Sequence, residues 1–212
     1  MNKDLTELVM ILDASGSMHS LTADTIGGFN SMIEKQKKED GQCLVTTVQF
    51  NHGSRTIHDR LPLDRIPVMT DRDYVASGST ALVDAMGSTI EHIADIHRYI
   101  RTEDVPAHTI FVIITDGMEN ASRTYSSDQV KRLVKAKQEA GWEFLFIGAN
   151  IDSVETAARF NISADSAVDF VADSRGMGVV MEAVSAGLKD RRAGRRSSEW
   201  RACIQFDKDS RE

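Results

Sequence analysis

The stretch Asp13-Ala14-Ser15-Gly16-Ser17-Met18 sets a carboxylate and two hydroxyls two residues apart. Such oxygens are hard donors of the kind that magnesium and calcium prefer. Gly16, between the serines, lets the backbone turn tightly enough to aim both hydroxyls at one point. The same residues are equally ordinary turn chemistry and a helix N-cap, so this stretch alone leaves both readings open. Two more oxygen donors stand in comparable settings: Thr80 in Gly78-Ser79-Thr80-Ala81-Leu82, and Asp116 in Thr115-Asp116-Gly117.

Positioning these donors falls to the flanking apolar runs. Residues 8–12 are apolar on consecutive positions, which predicts a central strand over 7–12 covered on both faces; 109–114 reads the same way. Each of these strands ends at an acid, Asp13 and Asp116. Between them, 22–38 carries Ile26, Phe29, Met32 and Ile33 at helical spacing, and 42–50 is a strand rich in Val and Thr. The short turn Asn51-His52-Gly53 can join only antiparallel neighbours, so 55–61 is expected as an antiparallel edge strand. A long loop punctuated by Pro62 and Pro67 leads to a helix that begins at Thr80 or just after it and runs to about Arg101. A helix at 126–140, capped by Ser126 or Ser127, a strand at 144–147, a helix at 153–160, a strand at 167–171 and a helix at 177–189 follow.

This alternation implies an α/β, doubly wound, Rossmann-like and mainly parallel sheet with one antiparallel edge strand and helices on both faces. Such sheets bind ligands beyond the carboxyl ends of their strands. The loops carrying Asp13, Asn51, Asp116 and Asn150 should therefore open on one rim.

Composition narrows the field. The 212 residues are 41% hydrophobic, enough for one domain over 1–190 with a basic extension over 191–212. A formal charge of −7 argues against general nucleic-acid binding. Cys43 and Cys203 show no metal or redox spacing, which makes a reduced, cytoplasmic setting the expectation. No leader segment is expected, nor a membrane span of roughly 18 apolar residues.

Asp13-x-Ser15-x-Ser17, then Thr80, then Asp116 in Thr-Asp-Gly resemble the metal-ion-dependent adhesion site (MIDAS) of the von Willebrand factor A domain, across roughly residues 5–190. The run Gly141-Trp142-Glu143-Phe144-Leu145-Phe146-Ile147-Gly148-Ala149-Asn150 is similar to stand-alone bacterial and phage members. The resemblance implies a divalent metal, usually magnesium, with manganese or calcium as substitutes. Ser15, Ser17 and, in one state, Thr80 would hold it directly, and Asp13 and Asp116 directly or through waters. It further implies a non-enzymatic module that binds a protein partner through the partner's Asp or Glu.

Other residues carry two readings each. Asp84 is either a support behind the metal ligands or an early-helix acid favoured by the helix dipole. Glu119 and Asn120 line a contact rim or form a helix-entry turn; Asn51 and Asn150 share the rim. His19 and His52 are loop histidines rather than ligands, with His19 on the rim, while Met18 and Met118 form an apolar collar for the partner. Lys189, Arg191, Arg192, Arg195, Arg196 and Arg201 either contact an acidic partner or nucleic acid, or belong to a solvated helix end. Trp200, Ile204 and Phe206 suggest that the tail docks as a strand or packs back.

Two other functions remain open at this level. An aspartate after strand one is also where magnesium-dependent phosphatases place a nucleophile, although Ser15 stands where those enzymes need a second acid. The family also occurs beside ATPases as a regulatory subunit. GxSxG, GxxxxGK[ST] and GxGxxG motifs are absent.

Overall fold

A computed structural model describes residues 1–195 and 199–211. Arg196 of the basic tail lies outside the described residues, as do Ser197, Ser198 and Glu212. Six strands form one sheet: β1 (Asn2–Asp13), β2 (Gln42–Phe50), β3 (Ser54–Pro62), β4 (Pro106–Thr115), β5 (Glu143–Gly148) and β6 (Ala167–Asp169). Their spatial order is β3-β2-β1-β4-β5-β6, and only the β2–β3 pair is antiparallel. The helices are α1 (Thr22–Gln36), α2 (Leu82–Tyr99), α3 (Ser127–Glu139), α4 (Ser153–Arg159), α5 (Ser174–Arg192) and α6 (Ala202–Asp209).

Alternation along β1 explains its continuous apolar run. Leu8, Met10 and Leu12 join one buried cluster with Phe29 and Met32 of α1 and Val180 and Val184 of α5. Val9 and Ile11 join the other, with Met86 and Ile90 of α2 and Val130 and Val134 of α3. Both faces are thus covered, as the run required. One charge interrupts it: buried Glu7 is held by Arg60 Nε at 2.6 Å and His97 Nε2 at 2.5 Å. The strand order turns back at β1 and β4, which places Asp13 and Asp116 at the switch point.

Three boundaries differ from the sequence expectation. Helix α2 begins at Leu82, just after Thr80, and ends at Tyr99, short of Arg101; the amides of Thr80 and Ala81 ahead of it donate to Asn120 Oδ1 and the Asn51 carbonyl. Helix α5 is longer at both ends, starting behind the Asp173 N-cap and ending where Arg192 donates to the carbonyls of Gln36, Asp40 and Gly41. The Trp200–Phe206 region is a helix rather than a strand, since Trp200 and Ile204, four apart, both enter the cluster beneath α5 while Phe206 stays 73% exposed.

The other described basic side chains of the 189–201 segment are engaged within the chain: Lys189 with Glu39, Arg191 with Glu143, Arg195 with Asp190 and Arg201 with Asp165. Helix α6 lies along β6, where Lys208 meets Asp169 at 3.0 Å. At the opposite edge, β3 carries two register shifts, and Arg60 adopts φ 48°. No helix among the described residues is long and apolar enough to cross a membrane.

Replacing buried Trp200 by Ala should cost about 3–5 kcal/mol in urea unfolding, whereas Phe206→Ala should stay within about 0.5 kcal/mol. Equal effects would show that the C-terminal helix does not rest on the core.

Candidate metal centre

Asp13 closes β1 and is fully buried, its register partner being Phe50. Its Oδ1 accepts the Ser15 amide at 2.7 Å and its Oδ2 the Thr115 hydroxyl at 2.5 Å. The chain then enters a short 3-10 turn, Gly16–Leu21. Ser15 Oγ and Ser17 Oγ lie 3.1 Å apart, and Ser17 Oγ donates to Asp116 Oδ1 at 2.6 Å. A Cβ on Gly117 would sit 3.6 Å from Thr80 Oγ1 and 3.7 Å from Ser17 Oγ, so these hydroxyls flank one small space that glycine leaves clear. Ser15, Thr80 and Asp116 are buried and Ser17 is exposed, which makes Ser17 the mouth of the cluster.

Burial pushes the carboxyl groups of Asp13 and Asp116 above their usual range, and the Asp13 charge raises Asp116 further. Among the described residues no lysine or arginine pairs with either carboxylate. Three hydroxyls and two uncompensated carboxylates around one space fit a hard divalent cation. Elsewhere, no three His, Cys, Asp or Glu side chains of the described residues converge in a metal-holding group.

The long loop before α2 holds this arrangement. Tyr74, wholly buried, donates its hydroxyl to the Asp13 carbonyl. The Ser77 amide donates to the Ala14 carbonyl at 2.8 Å, and the Gly16 amide to the Gly78 carbonyl at 2.9 Å. Gly78 has φ +77°, and a Cβ there would come within 2.8 Å of His52 Nδ1, so no other residue fits without strain. Thr80 is fixed from the far side, its amide on Asn120 Oδ1 at 2.9 Å and its carbonyl on the Asn120 amide at 3.0 Å. Tyr74, Thr115 and Asn120 act at long range, and the only sequence cue to Tyr74 was an aromatic inside a long proline-marked loop.

The rim residues divide. Met118 is 69% exposed, and His19 and His52 are exposed. Met18 is not part of an exposed collar: the 3-10 turn rotates it inward, and at 1% exposure it belongs to the core. Asn51 shapes the hairpin turn, its Oδ1 accepting the Gly53 amide. Asn150, at φ 58°, donates to the Asp116 carbonyl at 3.3 Å. Glu119 turns inward to accept the amides of Val83, Ala121 and Ser122, which caps the start of α2. The Asp84 carboxylate accepts the amides of Arg123, Thr124 and Tyr125, with no hydrogen bond to Ser15, Ser17 or Thr80 among the described residues.

No protein-family model and no curated protein matches the sequence, but solved structures do. Proximal thread matrix protein 1 from the mussel byssus superposes with a TM-score of 0.58 at 14% identity, over 87% of this chain and 46% of that one. A von Willebrand factor type A structure from Catenulispora acidiphila gives 0.54 at 14% identity, over 86% of this chain and 42% of its own. The chain has the von Willebrand factor A fold. The manganese-loaded TRAP protein of Plasmodium vivax shares it, with a TM-score of 0.55 and 15% identity over 84% of this chain and 72% of that one. One structure of the mussel protein has a zinc-occupied MIDAS motif. The present chain spans less than half the length of the mussel and Catenulispora chains. The doubly wound sheet with one antiparallel edge strand is thus the architecture of this fold, with the Asp13 and Asp116 loops on its rim.

Tyr74→Phe leaves a buried carbonyl without its donor and should lower stability by about 1–3 kcal/mol while keeping the fold; unchanged urea midpoints would remove Tyr74 from its holding role. The pH dependence of metal-stripped protein should have two limbs. Asp13 and Asp116, raised above 3.8, stabilise the fold fully below that value, and this share is lost as pH rises through their folded values. Asp73 and Asp173, lowered by hydrogen bonds from Thr70 and the Gly176 amide, stabilise it above 3.8, and this share is lost as pH falls through their folded values. Acidification from neutrality towards about pH 4 should therefore raise the urea midpoint, less so in Asp116→Asn, and a wild-type rise no larger than the variant's would contradict this.

Proposed function

We propose that Ser15, Ser17 and Thr80, with Asp13 and Asp116 directly or through waters, hold a divalent cation, magnesium foremost, and that the site binds an acidic side chain of a protein partner. The observation that carries this reading is the convergence of three hydroxyls on two buried carboxylates that lack a cationic partner. A bound cation supplies an electrophilic position for a carboxylate oxygen, and hydroxyl donors leave most of its charge uncompensated. Exposed Ser17 orients that position towards solvent, and exposed Met118, two residues after Asp116 in the chain, offers apolar contact surface.

This is a binding role rather than a catalytic one. Asp13, the residue that a phosphatase would use as nucleophile, has its two carboxylate oxygens engaged by the Ser15 amide and the Thr115 hydroxyl beneath the rim. Cys43 and Cys203 are both unpaired, which supports a reducing, cytoplasmic setting.

Calorimetric titration of magnesium, and separately manganese, into chelator-stripped protein should show saturable one-to-one binding. The Asp13→Ala, Ser15→Ala double variant should show none. Absence of binding to the folded wild type would reduce the reading to the fold alone.

A further inference from the structure

Beside Thr80 opens a cleft of about 490 Å³ whose chemistry the metal donors do not use. It runs between the β2–β3 turn, the Ser79 end of the long loop and the segment following Gly117, with His52, Ser54, Ser79, Ser88 and Arg123 on its walls. Arg123 is its cationic group. The backbone amide of Arg123 is tied to Asp84, but among the described residues no carboxylate or carbonyl engages its guanidinium. Arg98, Arg101 and Arg159, also at the surface, are by contrast ion-paired within the chain.

The loop that presents Arg123 is stiffly held. Glu119 Oε1 accepts the amides of Ala121 and Ser122 at 2.9 and 2.7 Å, and Asp84 accepts those of Arg123, Thr124 and Tyr125 at 2.8, 2.9 and 2.8 Å. Asp84 is the acid in the cleft, and its carboxylate oxygens are turned to these amides. A cation displayed from an ordered loop binds with little further loss of backbone entropy. The whole chain carries −7, which opposes an acidic partner at long range. Charges are screened over about 8 Å at physiological salt, so a local cation next to the metal loops decides what docks there.

We propose that the partner presents two acidic side chains a few residues apart, one for the metal site and the second for Arg123 in this cleft. The inference rests on the metal-dependent reading above. His52, with its ring against Gly78, and the serine hydroxyls supply further polar contacts along the wall, so the cleft selects among acidic segments that the ion alone would treat alike.

The test uses blocked glycine-serine peptides holding either one aspartate or two aspartates separated by one to four residues. They are titrated into the isotope-labelled full chain with magnesium and followed by NMR. At one or more spacings the two-acid peptide should bind about tenfold more tightly than the one-acid peptide, as a charge-assisted contact implies. Arg123→Gln should abolish that ratio and leave one-acid binding and the thermal midpoint unchanged. A ratio near one at every spacing, a ratio that survives in Arg123→Gln, or no binding of any peptide at millimolar concentration would overturn the proposal. One-acid binding that persists in chelator would instead overturn the metal reading, because the Arg123 effect is read from the ratio alone.

Discussion

Burying an ionisable carboxyl costs several kcal/mol unless hydrogen bonds replace the lost water, and Asp13 sits fully buried where β1 ends between β2 and β4. Two bonds to the carboxylate offset part of this cost, from the Ser15 amide just ahead and from the Thr115 hydroxyl at the end of β4, while Tyr74 donates from the long loop to the backbone carbonyl of the same residue. Each tie fixes one loop of the rim relative to the others. The Ser15 and Ser17 hydroxyls are set by that anchor and Thr80 by its two bonds to Asn120, so a cluster drawn from three distant stretches can hold one geometry.

Much of this was legible because it is local. Strands buried on both faces must be apolar at consecutive positions, so β1 and β4 stood out, and the donors could be placed because each follows such a strand or opens a helix. The Ser126 cap was readable for the same reason, since the Gln129 side chain that completes it lies three residues away. What could not be read depended on distant partners. The backbone that leads into α2 is held by bonds from Thr80 and Ala81 to Asn120 and Asn51, roughly thirty to forty residues off. Met18 follows exposed Ser17 yet turns inward with the 3-10 turn, and in the tail an apolar pattern three members long fitted either period until packing selected the helix.

The acids around the rim show a further division of labour. Glu119 and Asp84 lie near Asp116 and Thr80 in sequence, and an acidic chain would be expected to crowd negative charge there. Both instead serve as struts, accepting backbone amides that have no other acceptor and completing the entry to α2 and the loop beyond Gly117. Their charge is absorbed by N–H dipoles, which leaves Asp13 and Asp116 as the carboxylates of the cluster itself.

The two borders of the sheet bear on how other chains can approach. β3 is bent by its register shifts and by the left-handed backbone at Arg60, and it carries Arg55, Asp59 and Arg60 along its length. β6 is three residues long, with α6 packed along it. Exposed strand borders invite pairing with foreign chains, and interruption, charge and a covering helix each discourage it. Intermolecular strand addition, a common route both to peptide capture and to amyloid-like association, is thereby discouraged at either border of this sheet.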